Sequence, residues 1–571
     1  MAEILVINLT RMGDIVQTSP LLQGLRQQHP DAHIALLVID AFRGVAQQIP
    51  AVDEVLVYEQ DESVSRLMAP GWTFGDAVIW HRNFVRALGQ RSWDLVINLT
   101  HSHDSALLSQ LVARGEIRGL SVHRTGQRDI KHDWVKYFFN VTANRGFNSF
   151  NLVDIYRRIG NLPKGVGQAL CLEPGDEARR WAADLPLDGP GPLVMLQLGA
   201  SRDNRRWPLE SFARCARILA EECGARFLLC GTQKEMPLAA SLMTLAPELV
   251  YHDLSGQTNL AQLSALCTRA DLLISNDTGT MHIAAAMGTP VVSLFLATAL
   301  PEETAAYLPG TLVLQPRIAC SPCSHHVECP HINCRDWITP AAVAAAARMQ
   351  LDGSVPETWP DAERVHVFRC ERDAEGFQTL VPLLQEQLSP EAIFSLCYRR
   401  LWKTELRAGV REPLALSLVD ELAGLRARLA VAPDPALLLH RCNQAREILD
   451  DVIQLAGEGH ALTGEVALDL SNSAPSLKLL ERVSSRVIEI DATLFKREMS
   501  HTWLRPLAVL FRFDKEELDQ EPDFERTNRA MGRIYDTLAH RALELANMLD
   551  TVIRELEPVT RTQELDPICH E

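Results

Sequence analysis

Short runs of aliphatic and β-branched residues alternate with amphipathic stretches over the first 300 residues. ILVIN (4–8), HIALLVI (33–39), EVLVY (54–58), DLVINL (94–99) and EIRGL (116–120) predict five strands, with helices near 15–28, 41–48, 75–90 and 104–113 between them. The alternation starts again with PLVMLQL (192–198), RFLLC (226–230), LVYHDL (249–254), DLLISN (271–276) and PVVSLF (290–295), separated by helices at 208–223, near 234–246, near 259–268 and at 279–287. Strands apolar on both faces and joined through helices predict parallel sheets covered on both sides. Two such units in tandem give an α/β protein with two doubly wound domains, in which ligands bind beyond the carboxyl ends of the strands. The GPGP stretch near Leu185–Pro192 cannot continue a helix and marks the join.

The alternation stops near residue 350. RVHVFRC (364–370) and GFQTLVPL (376–383) read as a hairpin, and the pattern beyond is helical. Leu479, Val483, Val487, Ile490 and Leu494 share one helical face, as do Leu538, Ala542, Leu545, Leu549, Val552 and Leu556. The expected division is therefore an N-terminal domain over 1–185, a second over 190–350, and a hairpin followed by a helical appendage over 351–571.

Composition narrows the function classes. With 571 residues, 47% hydrophobic and 23% charged, the chain is in the ordinary globular range, and its size implies two or three domains. The formal net charge of −17 disfavours wholesale nucleic-acid binding. That charge is uneven: the nets are 0 for residues 1–180, −4 for 181–350 and −13 for 351–571. Residues 81–165 carry 13 basic against 6 acidic side chains plus five histidines, a candidate anion face whose bland alternative is a solvated surface. Neither a signal peptide nor an apolar run of membrane-spanning length is legible, so a cytoplasmic location is expected. Thirteen cysteines then read as reduced thiols or metal ligands.

Three turns at strand ends carry the chemistry. In N-L-T-R-M-G-D-I-V, Asp14 is either the N-cap of the following helix, a role worth about 1 kcal/mol, or a carboxylate placed to take a proton from a substrate hydroxyl. In L-G-A-S-R-D-N-R-R-W-P, small residues allow close approach of a ligand while Arg202, Arg205 and Arg206 offer forked donors to phosphate oxygens. In S-N-D-T-G-T-M-H, a strand ends at Ser275 and a helix starts near Gly279. The free N–H groups and dipole of that helix suit a diphosphate; Asp277 could cap the helix and His282 could simply pack beneath the loop.

RMGDIVQTSPLLQGLR, LGASRDNRRWPLESF and SNDTGTMHIAAAMGTPVVSLF, in this order, resemble the bacterial heptosyltransferases of glycosyltransferase family nine, which add ADP-activated heptose to the lipopolysaccharide inner core. The resemblance covers about residues 1–350. It implies the GT-B fold, two Rossmann-like domains facing a cleft, and an inverting transfer that requires no metal or other cofactor; the absence of any Asp-x-Asp triplet agrees with this. Carried over by position, it makes Asp14 the general base, with Arg205, Glu235, Asp277, Thr278, Gly279 and His282 holding the nucleoside-diphosphate sugar. Arg206 joins them as a neighbouring forked donor, and Arg205 stands where the family often has lysine. Gly13, Arg118, His123, Arg124, Arg128 and Lys131 are candidates for the acceptor, either a lipopolysaccharide core, another glycan or a protein. Such an acceptor would bring the protein into peripheral contact with the inner membrane. The helical appendage is a candidate surface for self-association or for a partner.

Cys320, Cys323, Cys329 and Cys334 fall within 15 residues, a spacing that can close a structural zinc or iron site with His325, His326 or His331 as substitute ligands; a reduced loop is the alternative. Two other classes remain open from sequence: a GT-B sugar-nucleotide epimerase, which would need no acceptor, and a non-catalytic glycan-binding scaffold.

Overall fold

The computed structural model describes residues 2–60, 65–66, 71, 73–123, 125–325, 328–386, 388–406, 434–470, 476–518 and 523–564. Its contacts divide the chain into one unit of residues 1–122 and 150–384 and another of 123–149 and 385–571.

The first unit contains two sheets. β1 (Glu3–Ile7), β2 (His33–Ile39), β3 (Glu54–Tyr58), β4 (Trp93–Asn98) and β5 (Ala113–Val122) lie in the order β3-β2-β1-β4-β5, all parallel. A short strand β6 (Arg128–Lys131) belongs to the other unit. β7 (Leu193–Gln197), β8 (Arg226–Cys230), β9 (Tyr251–Asp253), β10 (Leu272–Asn276), β11 (Val291–Leu294) and β12 (Leu312–Pro316) form the parallel part of the second sheet, in the order β12-β11-β10-β7-β8-β9. Both sheets thus have the Rossmann-like plan expected, with β1 and β7 at the positions where strand order reverses.

The hairpin expected at the head of the helical appendage extends the second sheet instead. β13 (Val365–Arg372) pairs antiparallel with β12, and β14 (Gln378–Pro382) with β13. Val365, Val367 and Cys370 are fully buried, so the hairpin covers an edge that would otherwise present unpaired backbone groups. β12 was not legible as a strand in the sequence.

Helix Met12–Gln28 follows β1 and is buried on nearly every side, which is why its sequence shows little amphipathicity. Pro20 lies inside it and cannot donate to Val16 O; the Ser19 hydroxyl donates there instead at 2.7 Å. On the second sheet, Trp207 is fully buried, and its indole donates to Ile338 O at 2.8 Å. It anchors the turn after β7 to the core formed with Phe212, Val343 and Ala347.

Among the described residues, the second unit is helical apart from β6. Helices Pro435–Leu470 and Phe524–Glu564 run against each other, with Gly459 under the Tyr535 ring and Gly532 beside Thr463; small residues allow this close approach. The two faces read from sequence turn inward: on one helix Val483, Ile490 and Leu494 are buried while Leu479 and Val487 are only half-buried, and on the other Leu538 through Leu556 are buried. Residues 123–149, expected inside the N-terminal domain, group with these helices. Trp134, Val135, Tyr137 and Val141 give helix Asp133–Ala143 an apolar face, and Asn140 donates to Pro506 O at 2.7 Å. Among the described residues no helix is long and apolar enough to cross a membrane.

Candidate active site

Asp14 is not the N-cap of its helix. Arg11, in extended conformation, holds that position, and Asp14 stands three residues in, accepting the Arg11 N–H at 3.4 Å. The loop before it is braced by buried Asn8, whose amide donates to Thr18 Oγ1 at 2.9 Å while its carbonyl accepts Thr10 N–H at 3.2 Å. Burial pushes the Asp14 carboxyl above its ordinary value, opposed by the Thr10 hydroxyl and the Arg11 charge; the nearby Asp277 pushes the same way as burial. The buried Tyr156 phenol, which the sequence did not single out, is held well above its usual value by burial and by the Asp14 charge.

The loop after β7 lies against the end of β10. Asn276 is fully buried and donates to Leu198 O at 3.2 Å and Gly199 O at 3.0 Å, while its Oδ1 accepts Trp207 N–H at 2.9 Å. Gln197 links the two neighbouring strand ends: Thr280 Oγ1 donates to its Oε1 at 3.1 Å, and its Nε2 donates to Glu235 Oε1 at 3.2 Å. Glu235 also accepts Thr232 N–H at 2.7 Å, and a Cβ at Gly199 would collide with its carboxylate. Asn276 and Gln197 are positioning residues that the motifs contain or adjoin. Only tertiary contacts reveal them.

Asp277 does not cap the helix Gly279–Ala286; Thr278 occupies that position, with no side-chain capping bond. Asp277 pairs with Arg205 and accepts a 3.3 Å hydrogen bond from Thr304 Oγ1. Burial raises its carboxyl and the Arg205 charge opposes this. Arg206 pairs with exposed Asp203 at 3.0 Å. The first turns of helices Met12–Gln28 and Gly279–Ala286 meet at two glycines. A Cβ at Gly13 would lie 2.8 Å from His282 Cδ2, and one at Gly279 would strike the Met12 side chain. The structure therefore brings Gly13, Asp14, Asp277, Thr278, Gly279 and His282 together, with Arg205 paired to Asp277.

His282 is buried, and among the described residues its Nδ1 has no hydrogen-bond partner. Burial pushes its pKa down to about 4. Because the unfolded chain binds a proton near pH 6.5 and the folded chain does not, this histidine favours the fold above pH 6.5 and loses that contribution as pH falls toward 4. Thermal melts between pH 7 and pH 4 are expected to show a smaller drop in Tm for His282→Asn than for the unaltered protein; equal slopes would remove His282 from the acid sensitivity.

The candidate acceptor cations are engaged. Arg118 forms a bidentate pair with Glu116 at 2.7 and 2.9 Å. Lys131 pairs with Asp129 at 2.6 Å, and Arg128 with Glu516 at 2.8 Å while lying over Phe139 and Phe513. His123 Nδ1 is 3.3 Å from Thr125 Oγ1. His123, Arg128 and Lys131 belong to the second unit. Arg124 lies outside the described residues, as does His326.

Of the four loop cysteines, Cys320 is exposed, Cys323 and Cys329 are half-buried and Cys334 is buried. Burial raises the Cys323 thiol, and Cys334, Cys320 and Cys329 raise it further, so the sulfurs are neighbours. Among the described residues, however, no group of three or more His, Cys, Asp or Glu side chains is arranged to hold a metal ion.

The sequence model of glycosyltransferase family 9 (heptosyltransferase) matches residues 81–331. The lipopolysaccharide core heptosyltransferase OpsX of Haemophilus influenzae is 24% identical over 306 residues, covering 53% of this chain and 81% of that protein. Lipopolysaccharide heptosyltransferase 3 of Escherichia coli K12 is 28% identical over 298 residues, covering 50% and 80%. The crystal structure of a family 9 glycosyl transferase from Veillonella parvula aligns with a TM-score of 0.51 at 21% identity, over 62% of this chain and 98% of that one. This likeness agrees with the two-sheet GT-B architecture.

Proposed function

From the premise that this chain carries a glycosyltransferase family 9 domain and is a glycosyltransferase, we propose that it moves heptose from ADP-heptose to a lipopolysaccharide core acceptor with inversion at the anomeric carbon. The curated relatives named as heptosyltransferases support the sugar and the acceptor class. The observation that carries the mechanism is the meeting of the Asp14 turn with the Thr278–Gly279 helix start at the Gly13–His282 contact. The Asp14 carboxylate then stands near the helix end proposed to take the diphosphate, while the other carboxylate there, Asp277, is paired with Arg205.

In this reading residues 1–122 and 150–185 receive the reacting end of the acceptor, and residues 190–350 hold the donor at the cytoplasmic face of the inner membrane. Asp14 takes the proton of the attacking hydroxyl. The hydroxyl oxygen bonds to the anomeric carbon as the bond to the diphosphate oxygen breaks, and the charge on the departing ADP is met by the N–H groups at Thr278–Gly279 and by Arg205 and Arg206. Glu235, held by Gln197 and Thr232, accepts hydroxyls of the nucleotide ribose. A single displacement with one base gives inversion.

A donor screen by mass spectrometry, with ADP-, UDP- and GDP-sugars and a truncated lipopolysaccharide acceptor, tests the assignment. The expected result is transfer from ADP-heptose, with donor consumed only when acceptor is present. Acceptor-independent conversion would favour an epimerase, and transfer to protein alone would replace the glycan acceptor.

The cysteine loop supports a structural zinc or iron site only if its thiols converge further than they do here. Close to one equivalent of metal per chain, with Cys323→Ser lowering metal content and Tm while activity follows the folded fraction, is the expected result of that arrangement. Metal-free protein prepared without chelators would identify a reduced loop.

A further inference from the structure

Within the second unit, the turn between β6 and helix Asp133–Ala143 borders a cavity of about 420 Å³ that the proposed transfer does not use. Buried Ile130 contributes an apolar patch; the other lining groups are charged or imidazole. Lys131 is committed to Asp129 at 2.6 Å, and Lys136 to Asp514 at 2.7 Å and Glu517 at 2.9 Å. The lining holds two lysines against three carboxylates, those of Asp129, Asp133 and Glu517.

This charge arrangement decides between ligand classes. A phosphate or carboxylate would meet no uncommitted lysine and would face the carboxylates. A neutral hydroxyl both donates and accepts, so it can bridge a carboxylate and an ammonium group already paired with each other. Several such bridges around one ring suit a polyhydroxylated ligand. His132, in the lining, has a φ of 105°, and its Nδ1 accepts Trp134 N–H at 3.3 Å, a bond that orients its ring. Glu517 lies beyond the region matched by the family model, so the cavity depends on the helical part of this chain.

We infer that this cavity is a carbohydrate subsite that takes an uncharged sugar ring. It deepens the proposed function, on which it rests for the source of the sugar, by assigning the helical unit to the neutral part of the glycan acceptor.

Titration of the full chain with dephosphorylated, heptose-containing core oligosaccharide, followed by saturation-transfer NMR, tests this. Binding is expected to weaken at least tenfold in Asp133→Ala and in Glu517→Ala, with ADP affinity unchanged and inorganic phosphate failing to compete. A diazirine derivative of the same oligosaccharide is expected to cross-link within residues 128–136, which covers the case of a variant that does not fold. No binding to the unaltered chain, binding indifferent to both substitutions, competition by phosphate, or cross-links confined elsewhere would overturn the assignment. Glycan binding retained by a protein that turns over none of the donors would count against the proposed function alone.

Discussion

Asp14→Asn is expected to slow sugar transfer by about two to four orders of magnitude, the usual contribution of a positioned general base, with ADP affinity nearly unchanged. Asparagine matches aspartate in size and retains an oxygen to accept the Arg11 N–H, so the helix start at Met12 survives. What disappears is the basic lone pair. The pH profile supplies a second readout. Burial raises the Asp14 carboxyl, so the acidic limb of kcat/KM is expected above the ordinary carboxylate value of 3.8, with the rate rising as pH passes through it. Unaltered turnover in the variant would remove Asp14 from the base role. A lost fold would show in the melting curve before any conclusion about chemistry.

The second large effect is expected at Arg205. If Arg205 meets the donor phosphate as proposed, Arg205→Ala removes a charge-assisted bond and weakens ADP binding by about 1.5–3 kcal/mol, on the order of 10- to 150-fold. In the structure the guanidinium is turned onto Asp277, and both side chains are largely buried. Diphosphate must therefore compete with Asp277 for it. Asp277→Asn separates the two roles, because it frees Arg205 while retaining an oxygen for Thr304. Calorimetry is expected to show ADP affinity reduced in Arg205→Ala and preserved in Asp277→Asn. If Arg205→Ala leaves ADP affinity unchanged, Arg205 serves only to neutralise its carboxylate partner, and the phosphate site is the helix start.

The cations of the basic segment show how far residue counting reaches. Thirteen basic side chains between 81 and 165 suggested an anion face, yet Arg118, Arg128, Lys131 and Lys136 each have a carboxylate partner. Two of those partners, Glu516 and Asp514, come from nearly 400 residues further along the chain. A local charge count omits such neighbours.

What the sequence determined by itself was the two-sheet plan, and it singled out three strand-end turns as candidates for the chemistry. These follow from local rules: apolar runs must be covered on both faces, and a strand followed by a helix leaves free N–H groups at the junction. The tertiary structure decided what those rules cannot reach. It sent the 365–382 hairpin to the edge of the second sheet, moved residues 123–149 to the helical unit, turned Arg205 onto Asp277, and set Gly13 against His282. Each outcome depends on groups far apart in the chain competing for the same buried contact, and only packing brings those groups within reach of one another.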